Sequence, residues 1–312
     1  MSTHFNQYIS FLIIVFVCLS CVTEFDLGIE NNQQKIVVQS YINPDSLVKV
    51  NVTGSIAFLS DQNIEVLEEA QVMLYENDLV LEKLQLSEDM SYFMSPAFKP
   101  VAGNDYKVIV TYNEESVSGE TRIPAKTLIH SLMLDTTEAI VRDDQEYYKC
   151  SMSFTDDLIQ NYYQILLFRQ SYSKSRILYV EGQDTLRDTT IVNRSFEPIN
   201  IEAIDPQINS GQFATGILLP DDNFNGTFFT FEFLVPVFLV QKRGFYDIEE
   251  IDLYFVLRTI TKEMYEFELT ANRQGWIIDN PFAEPLPVTS NIVDGLGVFA
   301  GYNQDVIKIE IM

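Results

Sequence analysis

The chain has 312 residues, 46% of them apolar and 12% aromatic, and 45 acidic against 20 basic residues give a net charge of −25. That much apolar surface supports one large or two ordinary packed domains and rules against an intrinsically disordered chain despite the charge. The acidity sets nucleic acid and anionic lipid surfaces aside as partners, because their phosphates repel it.

The first predicted element is a leader. Tyr8 to Ser20 is an apolar run, shorter than the roughly 20 residues that span a bilayer and of the length of a signal-peptide core. It ends in Leu19-Ser20-Cys21, a small residue directly before a cysteine, which is the pattern of a lipoprotein cleavage site. Residues 1–20 are therefore expected to be removed as a signal peptide and Cys21 to carry lipid, palmitate included. The leader departs from the usual form in two ways: Met1–Gln7 holds only His4 in place of Lys or Arg, and Cys18 replaces an aliphatic residue. Cys18 is the poorer acceptor, since Val17 rather than a small residue precedes it. Residues 21–34 are short and polar and read as a tether.

From Lys35 onward the pattern is β. Val48, Val50 and Val52 alternate with Lys49, Asn51 and Thr53; Tyr106, Val108, Val110 and Tyr112 alternate again. Ile251, Leu253, Phe255 and Leu257 repeat the pattern, and Ile307, Ile309 and Ile311 close the chain. Period-two alternation marks strands with one buried face. Asn43-Pro44-Asp45-Ser46, Ala102-Gly103-Asn104-Asp105, Asn113-Glu114-Glu115 and Pro220-Asp221-Asp222-Asn223 supply the turns between strands. Short strands with regular turns predict sandwiches rather than βαβ units. A boundary is expected near Arg122–Ser131, leaving an immunoglobulin- or transthyretin-like β-sandwich at 35–125 and a larger β domain at 126–312. One helix is expected over about 259–274, with Ile260, Met264, Phe267 and Ala271 on one face, Thr261 as N-cap and Gly275 as its end.

Few residues invite chemistry. After processing, Cys150 and His130 are the last cysteine and histidine, so a His/Cys zinc site is not available. Cys150, in Tyr147–Phe154, reads as a small buried hydrophobe rather than half of a nucleophilic dyad with His130. Asp221, Asn223, Asn225, Gly226 and Glu232 fall at positions 1, 3, 5, 6 and 12 of a calcium-loop pattern. The run from Thr227 to Val235 reads as a strand, however, and would carry Glu232 about 20 Å from Gly226. What survives is a weak calcium candidate made of Asp221, Asp222 and Asn223, with no metal site otherwise expected. The pairs Glu68-Glu69, Asp143-Asp144, Asp156-Asp157 and Glu249-Glu250 read as solvated surface, because neighbours on a strand point to opposite faces. There is no G-x-S-x-G, P-loop or G-x-G-x-x-G. No enzymatic activity and no cofactor are expected.

Two stretches carry a resemblance. One is Lys35–Ile42, followed by Val66–Tyr75 and Tyr106–Tyr112. The other is Asn280-Pro-Phe-Ala-Glu-Pro-Leu-Pro-Val-Thr-Ser-Asn-Ile-Val-Asp-Gly-Leu-Gly-Val-Phe-Ala-Gly-Tyr302. Together they resemble the Bacteroidota lipoprotein family of unknown function DUF 4249, whose members share a "PF-EP … SNI–G-G-F" ending. The resemblance implies a lipid-anchored protein of the outer membrane, exposed at the cell surface. It also implies a role beside a TonB-dependent receptor in uptake, by binding ligand or the receptor itself; the alternative is a surface adhesion or structural module. It brings no catalytic residues. Read physically, the second stretch is structural: its prolines force extended or turn geometry and Gly295 and Gly297 permit close packing. The functional alternative makes it a partner surface, with Phe282, Glu284, Asn291, Gly295, Gly297 and Phe299 as the candidates.

Overall fold

A computed structural model describes residues 34–56, 64–180, 186–205, 216–240, 248–278 and 286–311. The leader, Cys21, nearly all of the tether, Phe282 and Glu284 lie outside them. The alternating segments form strands, and the fold is mostly β. The first half contributes β1 (Ile36–Ile42), β2 (Lys49–Gly54), β3 (Gln71–Glu76), β4 (Leu79–Lys83), β5 (Gln85–Leu86), β6 (Phe93–Met94), β7 (Asp105–Tyr112) and β8 (Glu115–Arg122). The second contributes β9 (Ile129–Arg142), β10 (Gln145–Thr155), β11 (Tyr162–Val180), β12 (Leu186–Ile199), β13 (Glu202–Ala203), β14 (Ile217–Pro220) and β15 (Phe228–Pro236). The single-turn α1 (Val237–Val240), β16 (Ile248–Ile260), α2 (Lys262–Ile278) and β17 (Leu296–Ile311) complete it. Three hairpins turn on residue pairs with positive φ: Asn77-Asp78, Asn113-Glu114 and Asp143-Asp144. That is the type I′ geometry whose twist matches the flanking strands.

A nine-stranded sheet runs through the molecule in the order β12-β11-β16-β17-β1-β2-β6-β5, with β14 added on β11. Two four-stranded sheets pack against it. The sheet β4-β3-β7-β8 closes a core around Val38, Val50, Val72, Val108, Val110 and Phe299. The sheet β13-β15-β10-β9 closes a second around Phe154, Tyr163, Phe231, Phe233 and Phe255. Both cores are layered as two sheets face to face, as the alternation predicts.

β17 belongs to both halves. Leu296–Gly301 pairs in parallel with Val37–Ile42 of β1, and Tyr302–Ile311 pairs antiparallel with Ile260–Ile251 of β16. Odd positions of β17 face the two cores: Phe299 lies in the first, and Ile307, Ile309 and Ile311 pack on the second. Even positions Val298, Ala300 and Tyr302 face the other way, onto the apolar cluster under α2. Between the cores the chain crosses β16 and β17 as residues 123–128. Asn303 Nδ2 donates to the Pro124 carbonyl at 3.2 Å, and the Ile129 N–H donates to Asp305 at 3.0 Å. Thr259 Oγ1 meets Thr127 Oγ1 at 3.0 Å.

α2 forms where expected and differs at both ends. Ile260 is the last residue of β16, although it packs with Met264 beneath the helix as the helical spacing suggested. Thr261 opens the helix through its backbone, its carbonyl accepting the Tyr265 N–H at 3.0 Å. Its Oγ1, expected as the cap, is buried without a hydrogen-bond partner among the described residues. At the other end the helix continues past Gly275 to Ile278.

Candidate functional site

The face of the long sheet opposite the two cores is built from the positions that sequence alternation leaves over. On β16 these are Asp252, Tyr254, Val256, Arg258 and Ile260, interleaved with the buried Ile251, Leu253, Phe255 and Leu257. Register places them in ranks across β11, β16 and β17: Tyr162–Ile260–Tyr302, Gln164–Arg258–Gln304, Leu166–Val256–Val306, Phe168–Tyr254–Lys308 and Gln170–Asp252–Glu310.

α2 covers the first end of this ladder. Tyr265 packs on Tyr162 with ring centroids 4.8 Å apart, and Met264 sits over Ile260. The second rank is a hydrogen-bonded row: Arg258 donates to Gln304 at 3.1 Å and to Gln164 at 3.2 Å, and its guanidinium lies 4.4 Å from the centroid of the Tyr302 ring. Burial lowers the Arg258 pKa and raises that of Tyr302. Tyr302 accepts from Asn43, and Tyr41 donates to Glu268 of α2 at 2.6 Å; burial first, and then the Glu268 carboxylate, raise the Tyr41 pKa. These contacts lock helix and sheet together rather than leave a cleft.

The other end of the ladder is uncovered by the helix. Phe168 stacks on Phe196 of β12 at 5.2 Å, and Phe196 meets Tyr254 edge-on at 5.9 Å while remaining 60% exposed. Gln170 accepts from Tyr254 at 2.9 Å, and Arg194 lies over Tyr172 at 5.5 Å. Beside the aromatic strip an open cavity of about 510 Å³ is lined by Tyr172, Glu250, Asp252, Lys308 and Glu310. Lys308 bridges Asp252 at 3.0 Å and Glu310 at 2.9 Å, and these hydrogen bonds raise its pKa. Aromatic faces next to fixed charges suit recognition of a ligand or protein with an apolar side and a polar edge.

The family model described as Domain of unknown function (DUF4249) matches residues 22–308. The chain belongs to that family. No curated protein matches the chain at significant similarity. The DUF4249 match takes in both cores, α2 and all of the ladder except Glu310.

Within this DUF4249 chain the described partner-surface candidates sit at the seam where β17 meets β1. Phe299 is fully buried in the first core, and so presents no surface. Asn291 acts like a strand residue beside it: its Oδ1 accepts the Phe299 N–H at 2.9 Å, and its Nδ2 donates to the carbonyls of Phe299 and Glu120. A Cβ on Gly295 would lie 2.9 Å from the Ile36 carbonyl oxygen, and one on Gly297 only 2.0 Å from that of Val38. These residues hold the seam closed.

Cys150 is fully buried and its thiol is pushed up to about 12 by burial, so the thiolate a nucleophile needs is not available. His130 is exposed and pairs with Thr155. Glu232 lies inside β15 and pairs with Lys149 at 2.6 Å, away from the Asp221 turn. Gly226, at φ +69°, makes the expected turn after Asn225. Asp221 is buried, whereas Asp222 and Asn223 are exposed. Sequence reading singled out the inward residues of β16 and passed over the outward ones. The signal was present in the same stretch: three of its four outward positions from 252 to 258 are aromatic or charged, namely Asp252, Tyr254 and Arg258.

Proposed function

We propose that this DUF4249 protein is a non-catalytic, lipid-anchored binding protein of the outer-membrane surface. It acts as an accessory to a TonB-dependent receptor and uses the uncovered end of the ladder as its recognition face. The observation that carries the reading is the aromatic strip Phe168–Phe196–Tyr254 beside the Asp252–Lys308–Glu310 cluster, on the sheet face opposite both cores. Support for the anchor comes from the Leu19-Ser20-Cys21 sequence. The family resemblance supplies the receptor as the kind of partner.

The test is affinity capture of the natively processed protein from detergent-solubilised outer membrane, followed by mass spectrometry, for the wild type and for Phe196→Glu. A stoichiometric β-barrel receptor is expected with the wild type. Phe196→Glu, which alters an exposed side chain, is expected to lower its recovery at least tenfold with folding unchanged. Membrane-bound protein that captures no receptor would redirect the reading to adhesion or structure.

A further inference from the structure

At the end of the second core two loops face each other, one leaving β10 (residues 156–161) and one leaving β14 (residues 221–226). Each contributes a buried carboxylate: Asp156 is 3% and Asp221 1% exposed. Asp156 is fully engaged, accepting from Tyr163, from Asn161 Nδ2 at 3.1 Å and from the Gly226 N–H at 2.8 Å. Asp221 points between the loops, since its Oδ2 takes the Asn161 N–H at 2.5 Å. Its Oδ1 is buried and has no hydrogen-bond partner among the described residues. No ion pair reaches either carboxylate among the described residues, and Asp157 and Asp222 add further negative charge beside them.

A buried carboxylate is normally paired, bound to a metal or neutralised. A hard cation at Asp221 Oδ1 would supply the missing partner. We propose that the two loops bind one calcium ion, with Asp221 Oδ1 as its inner ligand and Asp222 and Asn223 as ligands from the same turn. Calcium takes six to eight oxygens in a flexible shell and completes it with carbonyls and water. No three acidic side chains already converge there, so the exposed Asp222 and Asn223 move inward on binding. The site differs from the twelve-residue loop that the sequence pattern suggested. Glu232 has no part in it, and the loop after β10 supplies the frame, through Asn161, which donates to Asp221, and Asp156, which accepts from Gly226. Magnesium, which demands a tighter octahedral shell, fits such an adaptable turn less well.

Two measurements on the full mature chain in detergent test this. In thermal unfolding at neutral pH, millimolar calcium is expected to raise the midpoint by several degrees over the chelated protein, as ligand binding to the folded state requires, and magnesium to do so much less. Asp222→Ala, an exposed substitution compatible with folding, is expected to weaken the calcium response at least tenfold in concentration. The second probe is terbium, whose luminescence Tyr162 and Tyr163 can sensitise; Tyr162 lies near enough to Asp221 and Asp222 for their charges to act on its phenol. Emission displaced by calcium and lost in Asp221→Asn supports the site. A wild type whose midpoint ignores calcium, or terbium emission that persists in Asp221→Asn, overturns it.

Discussion

Gly103 and Gly297 share a backbone conformation that L-residues avoid, at φ +87° and +107°, but their surroundings differ. A Cβ at Gly103 meets nothing within 4 Å, while one at Gly297 would sit 2.0 Å from the Val38 carbonyl oxygen. Gly103→Ala should therefore cost only the conformational penalty, about 1–2 kcal/mol. Gly297→Ala should cost at least about 3 kcal/mol, because the parallel strands must part as well. Urea denaturation of the two variants against wild type checks the difference. That Gly297 needs its freedom was legible from the motif around it. What it presses on was not, because β1 lies at the other end of the chain and a single sequence carries no sign of which strands pair. The same holds for Asn291: its amide reads as a loop residue until Phe299 and Glu120 are seen on either side of it.

At the level of elements, α2 was legible in place and length from its spacing of Met264 and Phe267, but its start was misread. Thr261 has the identity of a cap and the wrong surroundings: its backbone N–H is taken by the Gly301 carbonyl at 3.1 Å, which ties the first turn to β17. With Oγ1 buried and unpaired among the described residues, Thr261→Val should leave stability unchanged or raise it by up to about 1 kcal/mol, since it removes an unsatisfied hydroxyl. A working N-cap would instead lose roughly 0.5–2 kcal/mol. Chemical denaturation midpoints separate the two. The ladder of ranks explains why the outward face was harder to read than the inward one. An apolar residue at every second position announces burial, whereas Gln164, Arg258 and Gln304 look like ordinary solvated residues until register sets them in one row.

For the whole molecule, the sequence suggests a division near Arg122–Ser131; the buried residues of the second core run from Ile129 to Leu257, and those of the first from Ile36 to Ile123 together with two from the far end of the chain. The long sheet nevertheless runs through both, and the first core is completed by Ile292 and Phe299 from the far end of the chain. A fragment of residues 35–125 lacks that filling and leaves β1 paired only with β2, its other edge bare where β17 belongs. It is expected to be unfolded or molten, with weak near-ultraviolet dichroism and no cooperative thermal transition, whereas the full mature chain melts cooperatively. A well-folded fragment would show that the first sandwich closes without β17.

The parallel pairing of β1 with β17 also sets how the molecule carries tension. β1 is the first strand after the N-terminal segment, and β17 runs beside it in the same direction from Leu296 toward the far end of the sheet. A pull on the N-terminus against that far end draws the two strands lengthwise past each other. The rungs from Val37–Leu296 to Ile42–Gly301 are then loaded together in shear, rather than opened one at a time like a zipper. A protein held by its N-terminus and tugged at its body would share that load across six rungs at once.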